Sequence, residues 1–260
     1  MFNLEKLNYL RETFHDSDCV VFGCGPSLDE ISYQDMKPYL EDKMVVTIKQ
    51  SHCRYGKHSD IHFFNDNNLI KYKYQKPETI KIFSSANPGL NLSKLKLLFK
   101  NSPDISFRII APSNMDLSKL KESLSYTRDF EKWSIENSGQ DRLWGPGIMH
   151  ETVLPVLEYI GVKNIYTLGW DYEDPKKWNN AASSLDRMDH YYDTNFENKN
   201  DLLKMFVNPA CGIFKQECEL LIESSGEVFK YLENKGIHLR VLSENSYVSD
   251  LIPRVDYREI

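Results

Sequence analysis

Short β-branched and aromatic runs alternate with helical patterns along this chain. That alternation predicts an α/β fold, Rossmann-like, with a mostly parallel sheet and helices on both faces. Polar clusters follow the ends of the strand-like runs, where open α/β sheets bind their ligands. Residues 171–200 break the alternation with a polar, aromatic-rich stretch that is too long for a plain connection and reads as a lid-like insertion. The expected organisation is one domain over 1–260 with that lid at 171–200.

The elements follow in order. LEKLNYLRETF (4–14) has helical spacing, and DSDCVVF then reads as a first buried strand. MVVTI (44–48) and IHFF (61–64) are short strands, followed by TIKIFSS (79–85), ISFRII (105–110), NIYTLG (164–169) and HLRVLS (238–243). Helical patterns lie between them at LSKLKLLF (92–99), LSKLKESL (117–124), IMHETVLPVLEYIG (148–161) and the long run 211–236. The long run places Leu220, Leu221, Val228, Phe229 and Leu232 at apolar positions, with Gly236 as its C-terminal cap.

Composition excludes several classes. With 260 residues, 41% hydrophobic and 27% charged, the chain is an ordinary globular one. No apolar stretch approaches the ~20 residues that span a bilayer. The start, MFNLEKLNYLRETF, is amphipathic and charged, so it is no secretory signal, and a cytoplasmic protein is expected. A net charge of −6 argues against nucleic-acid binding. Basic residues gather at 71–83 and 93–100, as a solvated face or as a peripheral contact with anionic lipid at the inner membrane surface; both readings stay open. A homo-oligomer is likewise kept open. The five cysteines, Cys19, Cys24, Cys53, Cys211 and Cys218, are odd in number and form no C-x-x-C pair, so neither a disulfide framework nor a zinc site is expected. No metal site and no cofactor is assigned.

Four motifs carry chemistry. In GCGPSL, after the first strand, Gly23 and Gly25 let the backbone approach a ligand, and the turn is expected to offer N–H groups to phosphate or sugar oxygens. Leu28 stands where a dinucleotide fingerprint needs its third glycine, Pro26 removes a donor, and no G-K-[ST] follows, so NAD binding is disfavoured and a Walker loop is excluded. A tight structural turn is the alternative. Gly145, Pro146 and Gly147 open a helix whose N–H groups would face an anion or a base edge, or simply start a helix. Asp171 and Glu173, extended by Asp174, follow a strand. They suit ribose hydroxyls, a divalent metal beside a diphosphate, or a solvated loop. In MDHYYDT, His190 suits general-base work and Tyr191 and Tyr192 suit phosphate oxygens, with a structural histidine as the alternative. The remaining histidines, His15, His52, His58, His62, His150 and His238, show no ligand spacing.

The combination resembles the bacterial sialyltransferases of glycosyltransferase family 42 and the related family called domain of unknown function 115. The first strand with G-x-G-P-S-L-x-x-I, the strand end FFND (63–66), the stretch GPGIMHETVLPVLEYIGVKNIYTLGWDY, the DHYYD segment and the C-terminal YLENKGIHLRVLSENSYVSDLI lie in the family's order over most of the chain. The resemblance implies an inverting, metal-independent transferase that moves a sialic-acid-like sugar from a CMP-linked donor to a glycan acceptor, in surface polysaccharide or lipooligosaccharide synthesis. It implies that Gly23, Gly25 and Ser27 form the nucleotide turn, with Asn65, Gly147 and Asp171 in the same pocket and His190 as the base.

The chain departs from that pattern at several positions. Cys24 stands for an asparagine, Lys49 for another beside the retained Gln50, Glu173 for a phosphate-binding tyrosine, and Pro146 for a small hydroxyl residue. Lys49, with Tyr191 or Tyr192, is expected to offset charge on the leaving phosphate. Two other readings are carried. One is a magnesium-dependent pyrophosphokinase of the domain 115 type, using Asp171, Glu173 and Asp174. The other is a degenerate nucleotide-binding module.

Overall fold

Strands buried on both faces read as continuous apolar runs, and CVVF is such a run. In the structure, a computed structural model, Asp18–Phe22 forms β1. Cys19 and Val21 enter one core, while Val20 and Phe22 enter the other. The residues described are 4–65, 72–85, 103–110, 129–143, 147–171 and 211–260, with backbone only at 211–218 and 220.

Along the chain come α1 (Leu4–Phe14), β1, α2 (Tyr33–Met36), β2 (Met44–Ile48), α3 (Ser51–Tyr55), β3 (Ile61–Asn65), β4 (Ile80–Ser85) and β5 (Ile105–Ile110). They continue with α4 (Ile135–Ser138), β6 (Asp141–Leu143), α5 (Leu154–Ile160), β7 (Asn164–Leu168), α6 (Cys211–Asn234) and β8 (His238–Val241). The eight strands form one sheet in the order β6-β5-β4-β3-β2-β1-β7-β8. Every pairing in it is parallel. The Rossmann-like α/β expectation is therefore met. The chain steps outward from β1 to β6, then returns to place β7 on β1's other side. The direction of winding changes between β1 and β7, which is where doubly wound sheets open a crevice.

On the first face, Leu7 and Leu10 of α1, Leu154 and Leu157 of α5, and Val228 and Leu232 of α6 cover the sheet. On the second, Met36 of α2 and Tyr55 of α3 do so, and the Tyr55 ring stacks on Phe22 with centroids 3.6 Å apart. Gly236 ends α6 as expected: Ile237 N–H reaches the Leu232 carbonyl at 2.9 Å, six residues closing on one.

Two elements differ from expectation. Strand β6 was not foreseen, because Asp141–Leu143 has only three residues, two of them charged. Its pairing with β5 and the Arg108 Nε to Asp141 Oδ1 bond of 2.8 Å hold it at the sheet edge. The helix expected at 148–161 begins instead with a π turn, Met149–Val153, in which Leu154 N–H bonds Met149 O. Pro155 explains this: it has no N–H to offer the Glu151 carbonyl four residues back. The buried Arg142 of β6 donates Nε to that carbonyl at 2.8 Å instead. The helices expected at 92–99 and 117–124 lie outside the described residues, as does the lid beyond Asp171. Among the described residues no helix is long and apolar enough to cross a membrane. Within the basic run at 71–83, Lys76 pairs with Asp60, and Lys81 with Asp104 at 3.5 Å.

Candidate functional site

The crevice between β1 and β7 is closed at its base by backbone. Gly23 N–H donates to Leu168 O at 2.7 Å and Gly25 N–H to Gly169 O at 2.8 Å. A Cβ on Gly23 would collide with the Gly169 carbonyl, and one on Gly25 with the Asp171 carboxylate. Glycine is required here so that two loops can touch. This corrects the expectation that the turn offers its amides to phosphate: those of Gly23 and Gly25 are spent on the end of β7.

Ser27 completes the junction. Its backbone N–H donates to Asp171 Oδ2 and its hydroxyl to Asp171 Oδ1, each at 2.7 Å, while the hydroxyl accepts from Gly169 N–H at 2.9 Å. Burial raises the pKa of Asp171, with the Ser27 and Ser246 hydrogen bonds pulling the other way. Ser246, in the loop after β8, donates to Trp170 O at 2.6 Å, and Asn245 of the same loop bonds Glu30. The ends of β1, β7 and β8 are thus tied into one polar knot.

Beside the knot lies the turn after β2. The Cys24 thiol donates to Ile48 O at 3.0 Å and stands 3.6 Å from Gln50 Oε1. Burial pushes that thiol up to about 11, and the charge of Lys49 acts against the shift. A thiol so placed is a poor nucleophile at neutral pH. Lys49 adopts a left-handed backbone conformation, φ 49°. In an L-residue that costs about 1 kcal/mol and persists only where the surroundings enforce it. Here Lys49 N–H is bound to Phe63 O at 2.8 Å and its carbonyl accepts from His52 N–H at 3.2 Å.

One strand further on, Asn65 ends β3 opposite Ser84 of β4. Asn65 Oδ1 and Ser84 Oγ are both buried with no hydrogen-bond partner among the described residues. Buried polar atoms in folded proteins are nearly always satisfied, so a polar ligand laid along the strand ends would find two groups waiting. Gly147 has φ 96° and open space where a Cβ would stand. Its carbonyl accepts from His150 N–H and Glu151 N–H, both at 3.1 Å, and the His150 ring meets Trp170 edge-on at 5.9 Å. The helix start therefore reaches the end of β7.

Of the residues singled out from sequence, Gly23, Cys24, Gly25, Ser27, Lys49, Gln50 and Asp171 come together, with Asn65 and Gly147 at the flanks. Gly145, Pro146, Glu173, His190, Tyr191 and Tyr192 lie outside the described residues. Sequence reasoning passed over Ser84 and Arg142, neither of which sits in a motif. Gly169 stood at the end of a strand and inside the stretch that resembles the family, but was given no role of its own. A cavity of about 30 Å³, lined among others by Trp133, Arg142, His150, Glu158 and Tyr231, lies on the α5–α6 side. It has room for a water or two. No group of three or more His, Cys, Asp or Glu side chains suited to a metal occurs among the described residues.

No protein-family model matches the chain, and no curated protein sequence matches it. Several solved structures are similar to it. One is the sialyltransferase CstII from Campylobacter jejuni in complex with the substrate analogue cytidine-5'-monophosphate: 18% identity, 94% of this chain and 86% of that one, TM-score 0.46. Another is the same sialyltransferase with CMP-3FNeuAc, at 17% identity over 92% of this chain and 85% of that one, TM-score 0.42.

Proposed function

We propose that this chain is a glycosyltransferase that moves a sialic-acid-like sugar from a CMP-linked donor to the hydroxyl of a glycan acceptor, with inversion and without a metal. The observation that carries the reading is the row of groups along the strand ends. A clasped turn at β1, a cation at Lys49 after β2, and polar atoms on Asn65 and Ser84 that lack a partner among the described residues follow one another across the sheet. An elongated polar ligand with an anionic centre fits that row. The motif order described from sequence gives the ligand its chemical class.

In the reaction the acceptor oxygen attacks the anomeric carbon, the bond from that carbon to the phosphate oxygen breaks, and CMP departs. Lys49 offsets the charge that grows on the departing phosphate. The acceptor proton passes to His190, a role assigned by the family resemblance alone, as are those of Tyr191 and Tyr192. Gly145, Pro146 and Glu173 belong to the same pocket on the same ground. Asp171 serves as the brace of the nucleotide turn, since both its oxygens accept from Ser27. That use disfavours the magnesium-dependent pyrophosphokinase reading, in which this carboxylate would be a metal ligand. Synthesis of a surface polysaccharide or lipooligosaccharide is the setting that such a donor and acceptor imply.

A thermal-shift series with CMP, UMP and ATP, each with and without magnesium, tests the reading. CMP at a hundred times its Kd should stabilise the fold by about 2.7 kcal/mol, with or without chelator. His190→Ala should abolish sugar transfer and keep CMP binding. Stabilisation by ATP only with magnesium would transfer the assignment to the pyrophosphokinase, and no response to any nucleotide would leave a module without donor chemistry.

A further inference from the structure

The left-handed turn at Lys49 is held from behind by a group that no motif contains. The Lys49 carbonyl, already bonded by His52 N–H, also stands 3.1 Å from His62 Nε2. A carbonyl can only accept, so Nε2 carries the proton. His62 Nδ1 is then an acceptor, and it takes the Tyr74 hydroxyl at 2.8 Å. His62 has no solvent exposure, and its ring stacks on that of His52 with centroids 4.3 Å apart and planes 23° from parallel. Burial holds both imidazoles in the neutral form, well below their ordinary pKa for His62 and near 4 for His52. The chain of bonds runs one way: Tyr74 O–H to His62, His62 N–H to Lys49.

We propose that His62 is a positioning residue for Lys49: with Tyr74 behind it, it fixes the strained backbone turn that sets the Lys49 ammonium at the donor phosphate. The inference rests on the glycosyltransferase reading for what the ammonium meets, and on the bonds above for how it is held. One feature sets His62 apart from a plain core histidine, whose ring nitrogens also need partners. The partner on Nε2 is the one residue in this loop whose backbone conformation is unfavourable for a side-chain-bearing residue.

Calorimetric titration with CMP and with cytidine, which lacks the phosphate, separates positioning from packing. His62→Phe should weaken CMP about tenfold, the loss of one charge-assisted contact, and leave cytidine unchanged. In a Lys49→Ala background the same substitution should change neither. His62→Gln, whose amide can still donate to the Lys49 carbonyl, should restore CMP binding to within about twofold. Tyr74→Phe, which deletes a single hydroxyl and endangers the fold least, should weaken CMP and spare cytidine. Equal losses for CMP and cytidine, an undiminished loss in the Lys49→Ala background, or unchanged CMP binding in His62→Phe would each overturn the proposal.

If the unmodified protein binds neither ligand, the donor reading falls and the positioning is read directly. After reductive methylation with a carbon-13 label, the Lys49 dimethylammonium signal, assigned with Lys49→Arg, should shift in Tyr74→Phe and His62→Phe. A signal unmoved in both variants would refute it.

Discussion

Ser27 does with one short side chain what longer residues do with several. Its hydroxyl gives a hydrogen bond to Asp171 and takes one from Gly169, and its own amide gives a second to the same carboxylate. It is 4% exposed, so no water replaces these bonds if they are lost. Ser27→Ala should therefore cost about 2–3 kcal/mol, because a buried carboxylate and a buried amide each lose a partner. Urea denaturation measures this loss. It should be well above that of Ser32→Ala, a cap on the exposed helix α2 worth about 1 kcal/mol. The serine was visible in the sequence as part of G-x-G-P-S-L, and the resemblance put Asp171 in the same pocket, but the bond between them was not foreseen. Asp171 lies 144 residues away, and nothing local in either segment announces the other. The glycines were legible as close approaches. What approaches them in the fold is the Gly169 carbonyl at Gly23 and the Asp171 carboxylate at Gly25.

Among elements, the helix after β6 shows where sequence periodicity is informative and where it stops. The apolar spacing of 148–161 correctly marks a helix and its buried face. Pro155 marks a missing donor, and the sequence says no more. The repair comes from Arg142, 3% exposed, which spans from its Nε to the Glu151 carbonyl and from Nη1 to Ser138 Oγ at 2.7 Å. Burial pulls this guanidinium down to about 10, with Glu158 and Glu151 nearby acting against the shift. Arg142→Leu fills similar space but abandons both acceptors. It should destabilise by about 3–5 kcal/mol, the usual consequence of removing one member of a buried charged network. Hydrogen exchange should show the loss concentrated in α5 and the π turn before it. An arginine in a three-residue edge strand carries no hint of this role, since its partners come from the elements before and after the strand. By contrast, the strands at 44–48 and 105–110 and the helix at 4–14 form with the bounds their local pattern assigns. They are long enough, and uniform enough, for propensity and burial to agree.

The whole molecule carries its buried histidines as a pH liability. His52 and His150 are held near 4 by burial, and His62 lies well below the ordinary 6.5 for the same reason. Each is neutral when folded and takes a proton more readily when unfolded. The stability they protect is complete above about pH 6.5 and is lost as pH falls towards the folded value near 4. Each histidine should contribute about 1–2 kcal/mol of loss between pH 7 and pH 5. Asp171, whose pKa burial raises, works in the opposite sense, since its unfavourable burial as a carboxylate eases as pH falls. Urea denaturation at pH 7 and pH 5 should therefore show a fall of several kcal/mol, and an unchanged midpoint would contradict the buried neutral state. This behaviour was not readable beforehand, because histidines without ligand spacing look alike until burial is known.

The sheet order also has a consequence in time. The pairs that run outward from β1 to β6 join strands close in sequence, and each can form as soon as its two members exist. The Ser27–Asp171 clasp spans 144 residues, and closing so long a loop carries an entropy cost that grows with its length, about 4 kcal/mol by the logarithmic rule. Until β7 docks, the turn after β1 has no Leu168 or Gly169 carbonyl for its amides and no carboxylate for its serine. A chain emerging from the ribosome can thus hold most of its sheet while having no crevice at all. Folding and the acquisition of a binding site are separate events in this architecture, and the second waits on the arrival of one strand.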